Sequence, residues 1–135
     1  MAAQCFPVTV YLEDTDAQGI VYHANYLKYC ERARSHLVHT LGFSFEQLRS
    51  EGVSLVVFEM RLKFNKPARM HDNLEIRTRA YNGSDYRLTF IQEVYRSDDD
   101  SKPIFAADVT VVAIDHDGRI TPIPEKLDAS AFGDN

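Results

Sequence analysis

The chain has 135 residues, of which 44% are hydrophobic and 26% charged, and its formal net charge is -5 at pH 7. This length favours one domain with a core of its own, and the composition is typical of a soluble globular protein. A net acidic chain is a poor generic nucleic-acid binder, because such binders neutralise phosphates with a basic surface.

The two cysteines, Cys5 and Cys30, have no C-x-x-C spacing and no paired framework, which indicates two reduced thiols. Residues 1–7 have neither a basic start nor an apolar stretch, so no signal peptide is predicted. The longest strongly apolar run, residues 109–114, is far too short to cross a bilayer. We therefore expect a cytoplasmic protein that does not insert into a membrane.

The first predicted elements are a short strand and a long helix. Residues 6–12 alternate in the manner of a half-buried strand. Apolar residues at helical spacing then predict a helix from His23 or Ala24 to Leu41, and Gly42 is suited to end it. The stripe of this helix that we expect to be buried comprises Tyr26, Cys30, Ala33, Leu37 and Leu41.

A second, shorter helix is predicted between Ser44 and Gly52, because Ser44 and Gln47 match a capping box. The remainder is predicted to be strand. These strands cover residues 56–65, 74–80, 86–94, 104–115 and 120–123. Asn82-Gly83 predicts a tight turn between the second and third of them, and the most apolar strand is expected at the centre of the sheet.

This order of elements predicts an α+β protein with one antiparallel sheet and one long helix. We place a single domain at residues 1–127, because the sequence has no repeat and no linker. Residues 128–135 have little to pack against and are expected to form a loose tail. A single sheet also leaves an edge strand unpaired, which favours association with a second copy of the chain.

The segment EDTDAQGIVYHANY at residues 13–26 is the most informative part of the chain. It places an acidic strand end, a glycine turn and the start of a helix next to one another. The N–H groups that open a helix have no intrahelical partner and lie at the positive end of its dipole. A carboxylate beside them would combine a catalyst with an oxyanion site, and acyl transfer needs both.

This segment, continued by E-R-A-R at residues 31–34, resembles the active-site signature of the hotdog-fold acyl-CoA thioesterases. It is most similar to the 4-hydroxybenzoyl-CoA thioesterase-like proteins often associated with the Tol–Pal system. The resemblance extends over residues 8–127 and is most specific over residues 14–34. It implies a hotdog fold, in which the sheet wraps around the long helix, and active sites between the protomers of a homodimer or homotetramer.

The resemblance assigns the catalytic role to Asp16, which stands three residues before Gly19. In the family, this carboxylate attacks the thioester carbonyl or activates the water that does so, and the sequence leaves both routes open. The structural alternative is that Asp16 is a turn residue or a helix cap. Asp14 is expected to have a structural role in the loop.

The resemblance also implies that the backbone N–H of His23 polarises the thioester carbonyl. The His23 imidazole would bond to substrate or to Asp16, or would pack at a protomer interface. Glu31 is the reserve catalyst, because some hotdog thioesterases use a helix carboxylate from the neighbouring protomer. Its structural alternative is an ion pair with Arg34 on the same helix.

Further residues are expected to bind substrate. Gly19 permits a tight turn and a close approach of the thioester to the backbone. Tyr22 and Tyr26 are expected to shape the pocket, since an ordinary tyrosine pKa of about 10 is poorly suited to proton transfer. By resemblance, Arg87 lies near the nucleotide, and the backbone around Val57 flanks the pantetheine arm.

A basic run without an acidic interruption follows in the strand region and comprises Arg61, Lys63, Lys66 and Arg69. The phosphates of coenzyme A would suit such a run. The alternative is the solvated face of a strand, and the sequence does not decide between the two.

No G-x-S-x-G, Gly-rich phosphate loop or H-E-x-x-H motif is present, so serine-hydrolase, P-loop and zinc-protease chemistry are poor interpretations. No metal or redox cofactor is expected, because water and a carboxylate suffice. The expected activity is hydrolysis of a short-chain aliphatic or aromatic acyl-CoA to the free acid and CoA. Acyl carrier protein thioesters, dihydroxynaphthoyl-CoA, and a non-catalytic module that binds acyl-CoA or acyl carrier protein remain the alternatives.

Overall fold

The computed structural model describes residues 4–132. The strands are β1 (Gln4–Thr9), β2 (Ser54–Phe64), β3 (Asn73–Ser84), β4 (Arg87–Arg96), β5 (Phe105–Ile114) and β6 (Ile120–Thr121). The α-helices are α1 (Asn25–Thr40) and α2 (Phe45–Ser50), both between β1 and β2. Short 3-10 helices occupy Leu12–Asp14, Glu125–Leu127 and Ala129–Phe132. The predicted order of one long helix followed by a run of strands is confirmed.

All pairings in the sheet are antiparallel, in the order β1-β3-β4-β5-β2, with β6 added to the end of β5. The middle position of the five long strands therefore belongs to β4, which corrects the prediction that residues 104–115 are central. Strand β5 is an interior strand between β4 and β2. Asp108 is exposed, and Ala106 and Thr110 on the same face are only partly buried, so an apolar strand here is not covered on both faces.

Helix α1 lies across one face of the sheet and supplies much of the core. It begins at Asn25, slightly later than predicted, because the Asn25 N–H first closes a turn onto the Tyr22 carbonyl at 2.8 Å. Four residues of the predicted stripe are buried and Leu41 is partly buried. Tyr29, which the stripe omitted, is also buried. None of the helices within residues 4–132 is both long and apolar enough to cross a membrane.

The short helix α2 has the predicted N-cap, since Ser44 Oγ accepts the Gln47 N–H at 3.0 Å. We expect Ser44→Ala to lower the free energy of unfolding by about 1 kcal/mol, because this N–H would lose its acceptor. Urea denaturation measures the change. Ser50→Ala is the matched control, since Ser50 Oγ only donates to the Gln47 carbonyl at the other end of α2. Equal losses in the two variants would contradict the capping role.

Strand β2 is one of the two edge strands, and it is less buried than its alternating sequence predicted. Met60 and Leu62 are partly buried, but Val56, Phe58 and Phe64 are exposed. A β-bulge between Val57 and Glu59 shifts the register against β5 and interrupts the alternation. An edge strand has a neighbour on one side only, so its apolar residues stay uncovered unless something else packs on them.

The predicted Asn82-Gly83 turn is wrong. Both residues belong to β3, and the chain reverses two residues later, at Asp85 and Tyr86. Gly83 is the extra residue of a bulge opposite β4. The Asn82 side chain instead bonds to a distant segment, because its Oδ1 accepts the Ala129 N–H at 2.7 Å.

The chain beyond residue 127 does not begin as the expected loose tail. Ala129 and Phe132 are buried, and the Phe132 ring packs edge-on against Phe90 with 5.3 Å between centroids. The contact between these two aromatic rings offsets the conformational entropy that this segment loses on ordering. The polar residues around Phe132 gave no indication of it. The final part of the predicted tail, residues 133–135, lies outside the described residues.

Candidate active site

The acidic segment after β1 forms a short, firmly tied loop. The chain forms an isolated bridge between Thr15 and Val21, and a second bridge joins Ile20 to Arg69. Between them the chain turns at Gly19, which has a φ of +77° and open space where a Cβ would lie. Glycine suits this position because it has no Cβ and adopts a positive φ without strain. The loop is therefore fixed to a segment some fifty residues further along the chain.

Asp14 stabilises the loop through hydrogen bonds that its carboxylate and its carbonyl accept. Its carboxylate accepts the Tyr11 N–H at 2.8 Å, and its carbonyl accepts both the Tyr22 N–H and the Asn25 Nδ2–H at 2.8–2.9 Å. These bonds connect the end of β1, the turn and the first residue of α1. They agree with the structural role expected for Asp14.

Asp16 lies at the tip of this loop and is half-buried. Its Oδ1 accepts the Gln18 N–H at 2.8 Å, and its backbone closes the turn with Gly19 and Ile20. Asp16 is not the cap of α1, because the N-cap position belongs to Ala24. The carboxylate thus has one backbone partner that fixes its orientation, and Oδ2 has no hydrogen bond to any of residues 4–132.

A cleft of about 380 Å³ opens beside Asp16. It is lined by Asp16, Ile20, Val21, His23, Tyr26, Phe64, Asn65, Lys66 and Pro67. The walls come from three parts of the chain: the loop, the first turn of α1, and the segment that follows β2. The volume lies within the range of small-ligand sites.

Two backbone donors just before α1 are unused in the described part of the chain, and one of them belongs to His23, which lines this cleft. Within residues 4–132, the backbone N–H groups of His23 and Ala24 donate to no protein acceptor. The His23 side chain is exposed and packs its ring on Tyr22 at 4.5 Å, with no hydrogen bond to Asp16. Free N–H groups before a helix attract negative charge, which is what a thioester oxygen develops during attack.

An aromatic cluster forms the floor of the cleft. The Tyr26 ring stacks on Phe105 at 4.7 Å, and Phe64 meets both of them edge-on. The Tyr26 hydroxyl accepts the Ala68 N–H at 3.0 Å, which ties α1 to the segment after β2. Burial raises the pKa of Tyr26, so its hydroxyl stays protonated and serves structure more readily than proton transfer.

The structure adds residues to the site that the sequence interpretation did not name. Phe64, the last residue of β2, and Asn65, which follows it, line the cleft. The Asn65 Nδ2 donates to the Pro103 carbonyl at 3.1 Å. The run Asn65-Lys66-Pro67 directly after an apolar strand indicates a loop. The sequence does not show that this loop lies next to the Asp16 loop, because the order of the strands in the sheet decides which loops are neighbours.

Of the predicted basic residues, some lie at this cleft and others lie elsewhere. Lys66 lines it, and Arg69 is bridged to the Asp16 loop through its backbone. Arg61 lines another cleft, next to its β5 partner Asp108. Arg87 covers the Phe58 ring at 4.8 Å. Within one chain, the basic residues therefore do not form a single patch.

Glu31 and Val57 lie together in a third place, a small cavity between α1 and the sheet. Glu31 forms no salt bridge with Arg34; burial lowers the pKa of that arginine, and the negative charge of Glu31 acts in the opposite direction. Neither residue lines the Asp16 cleft of the same chain. Within residues 4–132, no group of three or more His, Cys, Asp or Glu side chains is arranged to hold a metal ion.

The two cysteines differ sharply in environment. Cys5 is exposed, whereas burial raises the pKa of the Cys30 thiol to about 12. At pH 8 the folded protein should therefore react with Ellman's reagent at Cys5 only, because the thiolate is the reactive form. Unfolding in urea should release the second thiol. A folded Cys5→Ser variant that still reacts at once would contradict this assignment.

Residues 10–130 match the family described as the thioesterase-like superfamily. Among curated proteins, the chain is 39% identical over 110 residues to "Acyl-CoA thioester hydrolase YbgC" of Escherichia coli O157:H7, covering 82% of this chain and 81% of that protein. It is 34% identical over 128 residues to "Acyl-CoA thioesterase YbgC" of Haemophilus influenzae, covering 93% and 91%.

The fold is likewise similar to solved structures. A probable thioesterase from Bartonella henselae superposes with a TM-score of 0.83 at 32% identity, over 91% of this chain and 100% of that one. The family match covers the Asp16 loop, both α-helices and strands β2 to β6, and it begins directly after β1. The chain belongs to the thioesterase-like superfamily.

Proposed function

We propose that the protein hydrolyses acyl-CoA thioesters and that Asp16 is the carboxylate that acts on the thioester. The observation that carries the proposal is that Asp16 and His23, whose backbone N–H has no protein acceptor within residues 4–132, line the same cleft. The curated relatives named as acyl-CoA thioester hydrolases, at 34–39% identity over most of the chain, support the same reaction.

The chemistry follows from the placement of these groups. With the thioester carbonyl directed at the His23 and Ala24 N–H groups, Asp16 would face the carbonyl carbon. As a base, it would take a proton from water while the oxygen of that water bonds to the carbon. As a nucleophile, it would form an anhydride that water then hydrolyses. In both routes the C–S bond breaks, and the CoA thiolate takes up a proton and leaves.

We propose that the His23 backbone N–H is the main oxyanion donor and that Gly19 admits the thioester against the turn. Tyr22 and Tyr26 would shape the acyl side of the cleft. Of the basic run, Lys66 and Arg69 lie nearest the Asp16 loop, and we propose that they contact the CoA part of the substrate. Arg61 and Arg87 would need a second protomer to reach the same ligand, and so would Val57 and the reserve carboxylate Glu31.

We propose a hotdog arrangement with the sheet wrapped around α1, assembled as a cytoplasmic homodimer or homotetramer. The exposed apolar residues of edge strand β2 support association, because they lack cover within one chain. The proposed substrates are short-chain aliphatic or aromatic acyl-CoAs, and the proposed branch is that of the 4-hydroxybenzoyl-CoA thioesterase-like proteins associated with Tol–Pal.

Thiol release from a panel of acyl-CoAs, from short aliphatic to hydroxybenzoyl, tests the proposal. We expect hydrolysis of at least one member at a rate well above the background without enzyme. Acyl carrier protein thioesters and dihydroxynaphthoyl-CoA belong in the same panel. Hydrolysis of acyl carrier protein thioesters alone would change the substrate, and no hydrolysis together with binding of intact acyl-CoA would favour a non-catalytic module.

A further inference from the structure

A small cavity, separate from the Asp16 cleft of the same chain, contains a largely buried arginine. Arg34, in the middle of α1, is only 8% exposed. No acidic side chain of residues 4–132 forms a salt bridge with it. A buried charge is costly unless hydrogen bonds or an opposite charge compensate for it. The partners of this guanidinium are therefore informative.

The guanidinium has one protein acceptor. Its Nη1 donates to Gln92 Oε1 at 2.9 Å, and Gln92 in turn donates to the Cys30 carbonyl at 3.0 Å and to Thr78 Oγ1 at 3.1 Å. Both protons of the Gln92 amide are thus in use. A guanidinium carries five N–H donors, so four remain without an acceptor among the described residues. No Arg34 nitrogen in this part of the chain is both fully buried and without a hydrogen bond, so solvent or a ligand can reach the free donors. Burial lowers the pKa of Arg34, but an arginine side chain is not deprotonated in proteins, so the guanidinium keeps its positive charge.

Arg34 lines a cavity of about 90 Å³ between α1 and the sheet. Its inner walls are apolar and buried, formed by Val38, Phe90 and Val111. Its mouth carries exposed residues, Glu31 and Val57 among them. One water molecule needs about 10–15 Å³ of such volume, so the cavity has room for a group of several atoms.

We propose that this cavity binds a carboxylate carried on a small apolar body. The apolar walls match the body, and the unused N–H donors of Arg34 match two carboxylate oxygens in the bidentate geometry that guanidinium groups favour. Glu31 at the mouth is exposed and forms no salt bridge with Arg34, so it does not occupy the position of the ligand carboxylate. A neutral ligand of the same shape would leave the charge of Arg34 unpaired and would bind more weakly.

Two sources supply such a carboxylate. One is a carboxylate at the far end of the acyl group of a thioester held in the Asp16 cleft of a second protomer, an assignment that rests on the proposed hydrolysis and association. The other is a free short-chain carboxylic acid, the class of compound that thioester hydrolysis releases. The chemistry at Arg34 is the same for both.

Titration of the ¹⁵N-labelled protein with butyrate and with 1-butanol, followed by NMR, tests the proposal. We expect butyrate to shift amide signals around Arg34 and Phe90 and to bind at least ten times more tightly than 1-butanol. Arg34→Met should abolish this preference. Arg32→Met, which removes an exposed arginine two residues away on the same helix, should keep it.

Arg34→Met leaves Gln92 without its donor and could unfold, so a second variant is needed. Ser35 lines the same cavity and is half-buried, and Ser35→Leu would narrow the cavity while leaving Arg34 and Gln92 intact. It should weaken butyrate binding at least tenfold. The proposal is overturned if both ligands bind equally, if the folded variants bind as the wild type does, or if the shifts centre on Asp16.

Hydrolysis of succinyl-CoA and butyryl-CoA distinguishes the two sources, because they differ by a terminal carboxylate. A preference for succinyl-CoA of about tenfold that disappears in Arg34→Met assigns the site to the acyl group. An unchanged ratio together with butyrate binding assigns it to a free acid. If the protein hydrolyses neither, the NMR result still decides the carboxylate site, and only the proposed function fails.

Discussion

Replacing Asp16 with asparagine is expected to lower kcat for acyl-CoA hydrolysis by about 10²–10⁴ if the carboxylate acts as a general base. The loss should be larger if it acts as the nucleophile, since removing a nucleophile has cost on the order of 10⁶ in a serine protease. Thiol release under saturating substrate measures the change. Asparagine keeps the oxygen that accepts the Gln18 N–H, so the loop should fold as before.

Two matched variants make this result specific. Glu13→Gln removes an exposed carboxylate from the same loop and should leave kcat within a factor of two or so, because Glu13 does not line the cleft. Glu31→Gln tests the reserve carboxylate. If Asp16→Asn retains full activity while Glu31→Gln loses it, the catalytic assignment moves from the loop to α1.

Replacing Phe105 with alanine should produce the largest loss of stability, about 3–5 kcal/mol of unfolding free energy. The side chain is fully buried, stacks on Tyr26 and meets Phe64 edge-on. Its removal takes away both buried apolar area and the support beneath the cleft. Urea denaturation at a fixed protein concentration measures the effect, because any association of chains would add to stability.

Phe45→Ala is the comparison for Phe105→Ala. Phe45 begins α2 and is 44% exposed, so its truncation should cost roughly 1 kcal/mol or less. Since Tyr26 lines the Asp16 cleft, Phe105→Ala should also raise KM for acyl-CoA in the fraction that remains folded. A loss below about 1.5 kcal/mol would mean that the aromatic cluster repacks, and that the cleft does not depend on it.

Local sequence patterns predicted the elements well wherever one face of an element is buried. The apolar spacing of α1 identified Tyr26, Cys30, Ala33 and Leu37 as core residues, because a helix packed on a sheet must bury one stripe. Ser44 capped α2 as expected, since an N-cap depends only on residues three positions apart. These features are decided within a few residues of chain.

Predictions failed where a distant contact outweighs the local preference. Asn82-Gly83 is a strong turn signal, but Asn82 bonds to Ala129 and Gly83 becomes a bulge, so the turn moves to Asp85 and Tyr86. Residues 128–135 show little that could pack, but Phe132 packs on the ring of Phe90, some forty residues earlier in the chain. A local sequence pattern does not tell which distant residues will be in contact.

The sequence by itself determined the class of fold, the Asp16–Gly19 loop and its position before the long helix, because these depend on neighbouring residues. Only the tertiary structure decided that Asn65 and Lys66 line the Asp16 cleft and that Arg34 meets Gln92 instead of an acid. Sheet order brings residues together across dozens of positions, and packing decides which polar groups stay buried. Both are properties of the whole chain.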